Sequence, residues 1–135
     1  MATFNKFNSF VEDLAEKVHN LGTDSLKVAL TNSAPIASNT VLANITEVSY
    51  TNCSPRTITT TSSSQTAGVY KLVLADLTLT ASGGAVGAFR YVVLYNDTPT
   101  APLDPLIGYL DYGSSITLND GESILIDFDG VNGAI

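Results

Sequence analysis

A chain of 135 residues with 44% hydrophobic content is long enough to bury one core without metal or disulfide, and its single cysteine, Cys53, excludes an intrachain disulfide. Six Lys and Arg stand against thirteen Asp and Glu; the net charge of -7 repels polyanions and offers no counterion release, so no nucleic-acid partner is expected. Only 14% of residues are charged, while Ser, Thr, Asn and Gly abound, a balance suited to a β-rich, sparsely charged surface.

The amino-terminal residues lack the basic start and apolar run of a secretory signal, and no apolar stretch approaches the ~18 residues of a membrane span. The expectation is synthesis in a reducing cytoplasm, no membrane association, and no glycan at the Asn44, Asn52 and Asn96 sequons.

Phe7, Phe10, Val11, Leu14, Val18 and Leu21 fall at three- and four-residue spacings, which predicts an amphipathic helix. Ser9 with Glu12 fits a capping box, although Phe4 extends the stripe towards Thr3. Early Glu12 and Asp13, late Lys17 and His19, and Gly22 as terminator match the helix dipole and a glycine stop. A helical arm, 1–22, is therefore expected ahead of a β domain, 23–135, with the helix either covering its own sheet or reaching a neighbour.

Beyond Gly22 the period becomes two. Leu26, Val28 and Leu30 predict a first strand, and the polar, Pro-containing segments 31–44 and 49–56 predict long connections around a short piece at 45–48. Thr57 to Thr61 reads as a short strand and Ser62 to Gly68 as a loop. Val69 to Asp76 and Leu77 to Thr80 read as strands. Phe89 to Tyr95, apolar on both faces, reads as a central strand covered on both sides. Leu106 to Tyr112, Ile116 to Leu118 and Ser123 to Phe128 complete the set, with Asn119-Asp120-Gly121 as a hairpin turn between the last two. The sum is a mainly β chain, an antiparallel sandwich or jelly-roll-like domain of about eight strands.

Reactive chemistry has few candidates. His19 is the single histidine, so neither a zinc site of the His/Cys type nor a Ser/His or Cys/His nucleophile can be assembled without it, and it reads more simply as a cation at the helix C-terminus. Asp127-Phe128-Asp129-Gly130 with Asn132 resembles a calcium loop, but the glycine comes too early and no later glutamate follows. Asp111 and Asp127 could form a dispersed carboxylate pair for a hydrolase, and Ser82-Gly83-Gly84 is a turn, not a phosphate cradle. Tyr50, Tyr70, Tyr91, Tyr95, Tyr109 and Tyr112 could offer a sugar-stacking platform, or serve the core. No catalytic residue, metal or cofactor is expected.

The stretches Lys27 to Pro35, Val69 to Asp76, Phe89 to Asp97 and Asp104 to Gly113 resemble small virion proteins of tailed bacteriophages, in particular capsid decoration (cement) proteins. The resemblance covers most of the chain and rests on framework residues. It implies a non-enzymatic structural protein that binds the outer capsid surface and bridges neighbouring major capsid protein subunits, as a homo-oligomer with a trimer favoured, located on the virion. A tail or fibre component, or a carbohydrate- or receptor-binding module using the tyrosines, is the alternative. Phe4, Phe7, Phe10, Val11 and Leu14 of the arm are the expected partner contacts, since aromatic anchors dominate interfaces.

Overall fold

The computed structural model describes residues 4–135. Nine antiparallel strands and one short helix follow the order β1 (Phe4–Lys6), α1 (Asn8–Ala15), β2 (Leu26–Thr31), β3 (Thr57–Ile58), β4 (Thr60–Thr66), β5 (Val69–Leu74), β6 (Leu77–Thr80), β7 (Val86–Asn96), β8 (Leu106–Leu118) and β9 (Ser123–Ile126), with a single 3-10 turn at Leu42–Asn44. The five-stranded sheet runs β1-β8-β7-β2-β3, and the ribbons β4-β5 and β6-β9 lie over one of its faces. The result is a β-sandwich, as its sequence pattern predicts. Its layers are one five-stranded sheet and two two-stranded ribbons, whereas a jelly roll would have two four-stranded sheets. No helix among the described residues is long and apolar enough to cross a membrane.

β7 is central, as its two apolar faces require. Phe89, Val92 and Leu94 enter the main core with Val28, Leu30, Leu72, Leu79 and Ile126, while Val93 and Tyr95 face the other way into a smaller cluster with Phe7, Ala29 and Leu106. Phe89 and Val92 are three residues apart, which strict alternation would put on opposite faces. The β7–β8 pairing is irregular between Phe89 and Tyr91, where β8 carries three extra residues, and both side chains are buried on either side of that irregularity.

The structure departs from the sequence expectations at several elements. First, the helix is confined to Asn8–Ala15 and is preceded by a strand: Phe4 pairs with Leu110 in β1, not with a helical stripe. The sheet edge at β8 offers Phe4–Lys6 interstrand bonds, and Gly108 leaves room for the Phe4 ring, since any Cβ there would overlap it. Ser9 is not the cap: Phe7 occupies that position, the Asn8 N–H donates to the Ala37 carbonyl at 2.9 Å, and Ser9 Oγ is buried without a partner.

The helix ends at Ala15, with Glu16 as its C-cap and Lys17 as the left-handed residue after it, not at Gly22. Lys17 adopts φ +67° and the Val18 N–H donates to the Asp13 carbonyl at 2.8 Å, a Schellman-type ending with lysine where glycine is usual. Val18 and Leu21 lie beyond it in turns, and Leu21 still reaches the core.

Second, Ser62 to Gly68 is no loop. Thr60–Thr66 forms β4, paired with β5 through a two-residue turn, Ala67-Gly68, with both residues at positive φ (+52° and +80°). β4 carries no apolar alternation because its partner supplies the ribbon's buried residues, Leu72 and Leu74. The expected short piece at 45–48 is not a strand, whereas 106–118 is one strand instead of two.

Third, Asn119 to Gly121 does form a tight turn, the Glu122 N–H donating to the Asn119 carbonyl at 2.9 Å, but it carries the chain between layers: β8 pairs with β7 and β9 with β6. The 45–56 connection is fastened from within. Tyr50 Oη accepts from the Leu30 N–H at 2.9 Å and donates to Glu47 Oε1 at 2.7 Å, and Arg56 stacks its guanidinium 3.6 Å from the Tyr50 ring centre while donating to the Val28 carbonyl at 2.6 Å. These bonds supply polar partners to β2 and set the loop against the sheet.

Phe10 fills the core while its helix neighbour Val11 faces solvent. Phe10→Ala should lower unfolding free energy by about 3–5 kcal/mol, and Val11→Ala by less than about 0.5 kcal/mol, in urea melts. Lys17→Gly should raise stability by up to about 1 kcal/mol in the same assay, because it relieves a left-handed backbone at a position where glycine is favoured.

Candidate functional site

The end of the sandwich at which α1, the 16–24 turn and the β4–β5 ribbon meet is a surface where apolar side chains are offered to solvent beside a concavity. Phe10 points inward, and its neighbours on the helix turn out: Val11 is 54% and Leu14 40% exposed. At three-residue spacing the two adjoin on the helix surface. Leu14 and Tyr70, the latter 38% exposed, line a shallow groove of about 540 Å³ together with Lys17, Leu21 and Ser63. Ser63 Oγ and Tyr70 Oη are 2.9 Å apart and hydrogen-bonded, which fixes the tyrosine ring against the ribbon. A groove with apolar walls, edged by the Lys17 ammonium, the Asn20 amide and the Ser63 and Tyr70 hydroxyls with His19 at its base, is suited to receiving a protein side chain or a chain segment.

Beneath the groove lies a polar lock. His19, only 5% exposed, packs its ring 5.3 Å from that of Phe10, and its Nδ1 accepts from Asn96 Nδ2 at 3.1 Å. The other proton of that amide goes to Asp24 Oδ2 at 2.6 Å, and the same carboxylate oxygen accepts from the Asn20 N–H at 2.8 Å. Asn96 Oδ1 accepts in turn from the Thr98 N–H at 3.1 Å.

With Nδ1 an acceptor, the neutral ring carries its proton on Nε2, which is buried without a partner. Burial lowers the His19 pKa, and the nearby Asp24 carboxylate opposes that shift without cancelling it. His19 is thus a neutral structural group tying the turn after α1 to the end of β7. The expectation of a helix-terminal cation is corrected: the helix ends earlier and the turn folds the imidazole inward.

The five expected partner contacts are separated by the fold. Phe7 is fully buried in the smaller cluster, its ring 5.4 Å from Tyr109, and Phe10 is buried in the main one. Phe4 is half-buried against the main core. These aromatics serve their own sheet and are not free to anchor a neighbour, because burial in the sandwich is worth more to them than exposure. Val11 and Leu14 remain available. The sequence offers Tyr70 only as one of six candidate stacking or core tyrosines and does not show the hairpin, since Ser62 to Gly68 reads as a loop; the Ala67-Gly68 pair between Thr66 and Val69 is the available signal.

The residues weighed for chemistry are dispersed. Asp111 is clamped by Arg90, with Nε–Oδ1 2.8 Å and Nη2–Oδ2 3.1 Å, and it accepts from the Gly113 N–H at 2.7 Å; these bonds hold its carboxyl below the usual range, the opposite of what a general acid needs. Asp129 spends its oxygens on the Val131 and Asn132 N–H groups and the Asn132 amide, closing a local turn in place of a calcium loop. Cys53 is bridged to Ala81, and burial pushes its thiol pKa up, away from thiolate reactivity. Of the six tyrosines only Tyr70 is exposed; Tyr91 and Tyr95 are buried and the rest half-buried, so they form no stacking platform. Among the described residues no three His, Cys, Asp or Glu side chains gather as a metal site would need.

Comparison of the chain with family models, with curated proteins and with solved structures finds no match.

The His19 lock makes stability depend on pH. The unfolded imidazole titrates near the ordinary 6.5 and the folded one lower, so the unfolded state takes up the proton first. Stability should therefore decline as pH falls below about 6.5 and level off once the folded ring also charges. Urea melts between pH 7.5 and 5 (about the histidine range) should show this decline, and His19→Gln should flatten it.

Proposed function

We propose that the protein is a structural virion subunit that binds the outer capsid surface and bridges neighbouring capsid subunits, acting as a homo-oligomer through contact surfaces and not through a reactive centre. The observation that carries this reading is the division of α1: Phe10 is spent on the core while Val11 and Leu14 face solvent beside the Tyr70 groove. A single domain that leaves an apolar helix face next to an apolar groove retains a surface whose burial still yields free energy when a partner arrives. The resemblance of the strands around Val69 to Asp76 and Phe89 to Asp97 to capsid decoration proteins supplies the kind of partner.

The physical requirements of a clamp fit these features. A stiff sandwich with a two-faced central strand transmits load without deforming, and loops and ribbons at its end supply contacts. The net charge of -7 disfavours attachment to packaged nucleic acid and leaves the outside of a shell as the compatible location. Contacts repeated around a symmetric shell multiply modest single-site affinity into avidity.

Replacing both Val11 and Leu14 with Asp should leave folding intact, since neither is in the core, and should weaken binding to decoration-free capsids at least tenfold in co-sedimentation. Undiminished binding by the double variant would remove α1 from the contact. Electron microscopy of virions that placed the protein along the tail would refute the capsid assignment.

A further inference from the structure

We infer that the free edge of β4 is a self-pairing seam, through which two copies of the chain join antiparallel, β4 to β4, into a continuous four-stranded β5–β4–β4–β5 sheet about a two-fold axis. The seam does not depend on what the α1 groove contacts, so it goes beyond the reading above and can fail separately from it.

The geometry of the ribbon decides which backbone groups are available. A two-residue turn makes its flanking residues, Thr66 and Val69, a hydrogen-bonded pair, so Ser64 with Lys71 is the next such pair. Ser63 and Gln65 lie at the alternate sites, opposite Leu72 and Tyr70, and their N–H and C=O groups point away from β5. β4 pairs with no other strand among the described residues, and residues 61–66 are all exposed. The outward groups of Ser63 and Gln65 thus form an open hydrogen-bonding edge.

Monomeric proteins protect such an edge with lysine, proline or a bulge in its middle. β4 has neither charge nor proline, and its one register shift lies at the far end, between Thr60 and Ser62. This neutral edge also selects the partner. On a chain of net charge -7, two copies repel over most approaches, and an uncharged strand meeting itself sets no like charges opposite each other.

Pairing centred on Ser64 fits the sequence best. Ser63 of each copy then faces Gln65 of the other, giving four backbone hydrogen bonds. Ser64 meets Ser64 on the axis and Ser62 meets Thr66, and both of these pairings are between small hydroxyl side chains that admit close strand approach. The nearest charge, Lys71 on β5, is separated from its symmetry mate by three strand spacings, roughly 14 Å, beyond the physiological Debye length of about 8 Å. Because Ser63 and Tyr70 lie on the groove side of the ribbon, the seam would set two grooves next to each other on one assembly. An isologous seam makes pairs, in place of the trimer implied by resemblance.

The test is light scattering with size exclusion across a concentration series, together with a cross-link. Wild type should reach a dimer mass. Ser63→Pro and Gln65→Pro each remove an outward N–H while sparing the bonds to β5, and should weaken dimerisation at least tenfold with unchanged circular dichroism. Ser64→Lys should weaken it similarly, with partial recovery at high salt. In a Cys53→Ser background, Ser64→Cys should give a disulfide-linked dimer under mild oxidation, because the two positions are direct neighbours across the axis. This last variant keeps the ribbon intact if a proline variant does not fold. A wild type that stays monomeric at every concentration, a trimer indifferent to the proline changes, or a folded Ser64→Cys variant that does not cross-link would each overturn the seam.

Discussion

The sandwich depends on covering the five-stranded sheet on both faces, and the short amino-terminal segment is where both coverings meet. Phe7 and Phe10 are three residues apart, yet Phe7 is buried with Val93, Tyr95 and Leu106 on one face and Phe10 with Leu26, Leu94 and Ile107 on the other. A long helix could not do this, since residues at i and i+3 would share a face. The chain manages it because Phe7 sits at the extended helix cap, φ -76° and ψ 148°, and Phe10 within the first turn. The segment acts as a pin through the end of the sheet.

This pin explains why the helix is short and why its outer side is free. With β1 hydrogen-bonded to β8, the position of Asn8 is set, and the eight-residue helix crosses the sheet end. Its return path must reach β2, and the left-handed Lys17 followed by the inward His19 turns the chain back. The Asn96 amide meets both the imidazole and Asp24, so the end of β7, the turn after α1 and the start of β2 share one polar network in place of an apolar contact. Fully used amide protons make that junction specific in geometry, while the partnerless Nε2–H leaves a local cost. The exposed Val11 and Leu14 are thereby held on a fixed frame, which lowers the ordering cost of engaging a partner.

The second layer works differently. The two ribbons are not joined to one another in a continuous sheet; β4–β5 contributes Leu72 and Leu74 to the core, β6–β9 contributes Leu79 and Ile126, and both leave backbone edges to be managed. The outer edge of β5 is occupied by the carboxyl-terminal residues: the Leu72 N–H donates to the Ile135 carbonyl at 3.0 Å and the Ala134 N–H to the Leu72 carbonyl at 2.8 Å. Among the described residues β4 has no such cover. One ribbon therefore presents a sealed edge and an open one, and that asymmetry gives the molecule a direction in which it can add strands.

Sequence alone determined the β class, the first strand, the two-faced centre at Phe89 to Tyr95 and the turn at Asn119 to Gly121, because hydrophobic period and turn chemistry are local and carry their own physics. It also marked Val11 and Leu14 as contact candidates, but could not separate them from Phe7 and Phe10, which share their spacing. Tertiary structure decided that separation: the β8 edge drew Phe4 to Lys6 into a strand, Lys17 accepted a left-handed backbone to let the chain return, and the aromatics were divided between two cores. It likewise decided β4, whose serines and threonines have no strand pattern of their own and are ordered only by the residues across the ribbon. Non-local pairing and burial outweigh local propensity where the local signal is weak, which is the case at both elements that form the candidate contact surface.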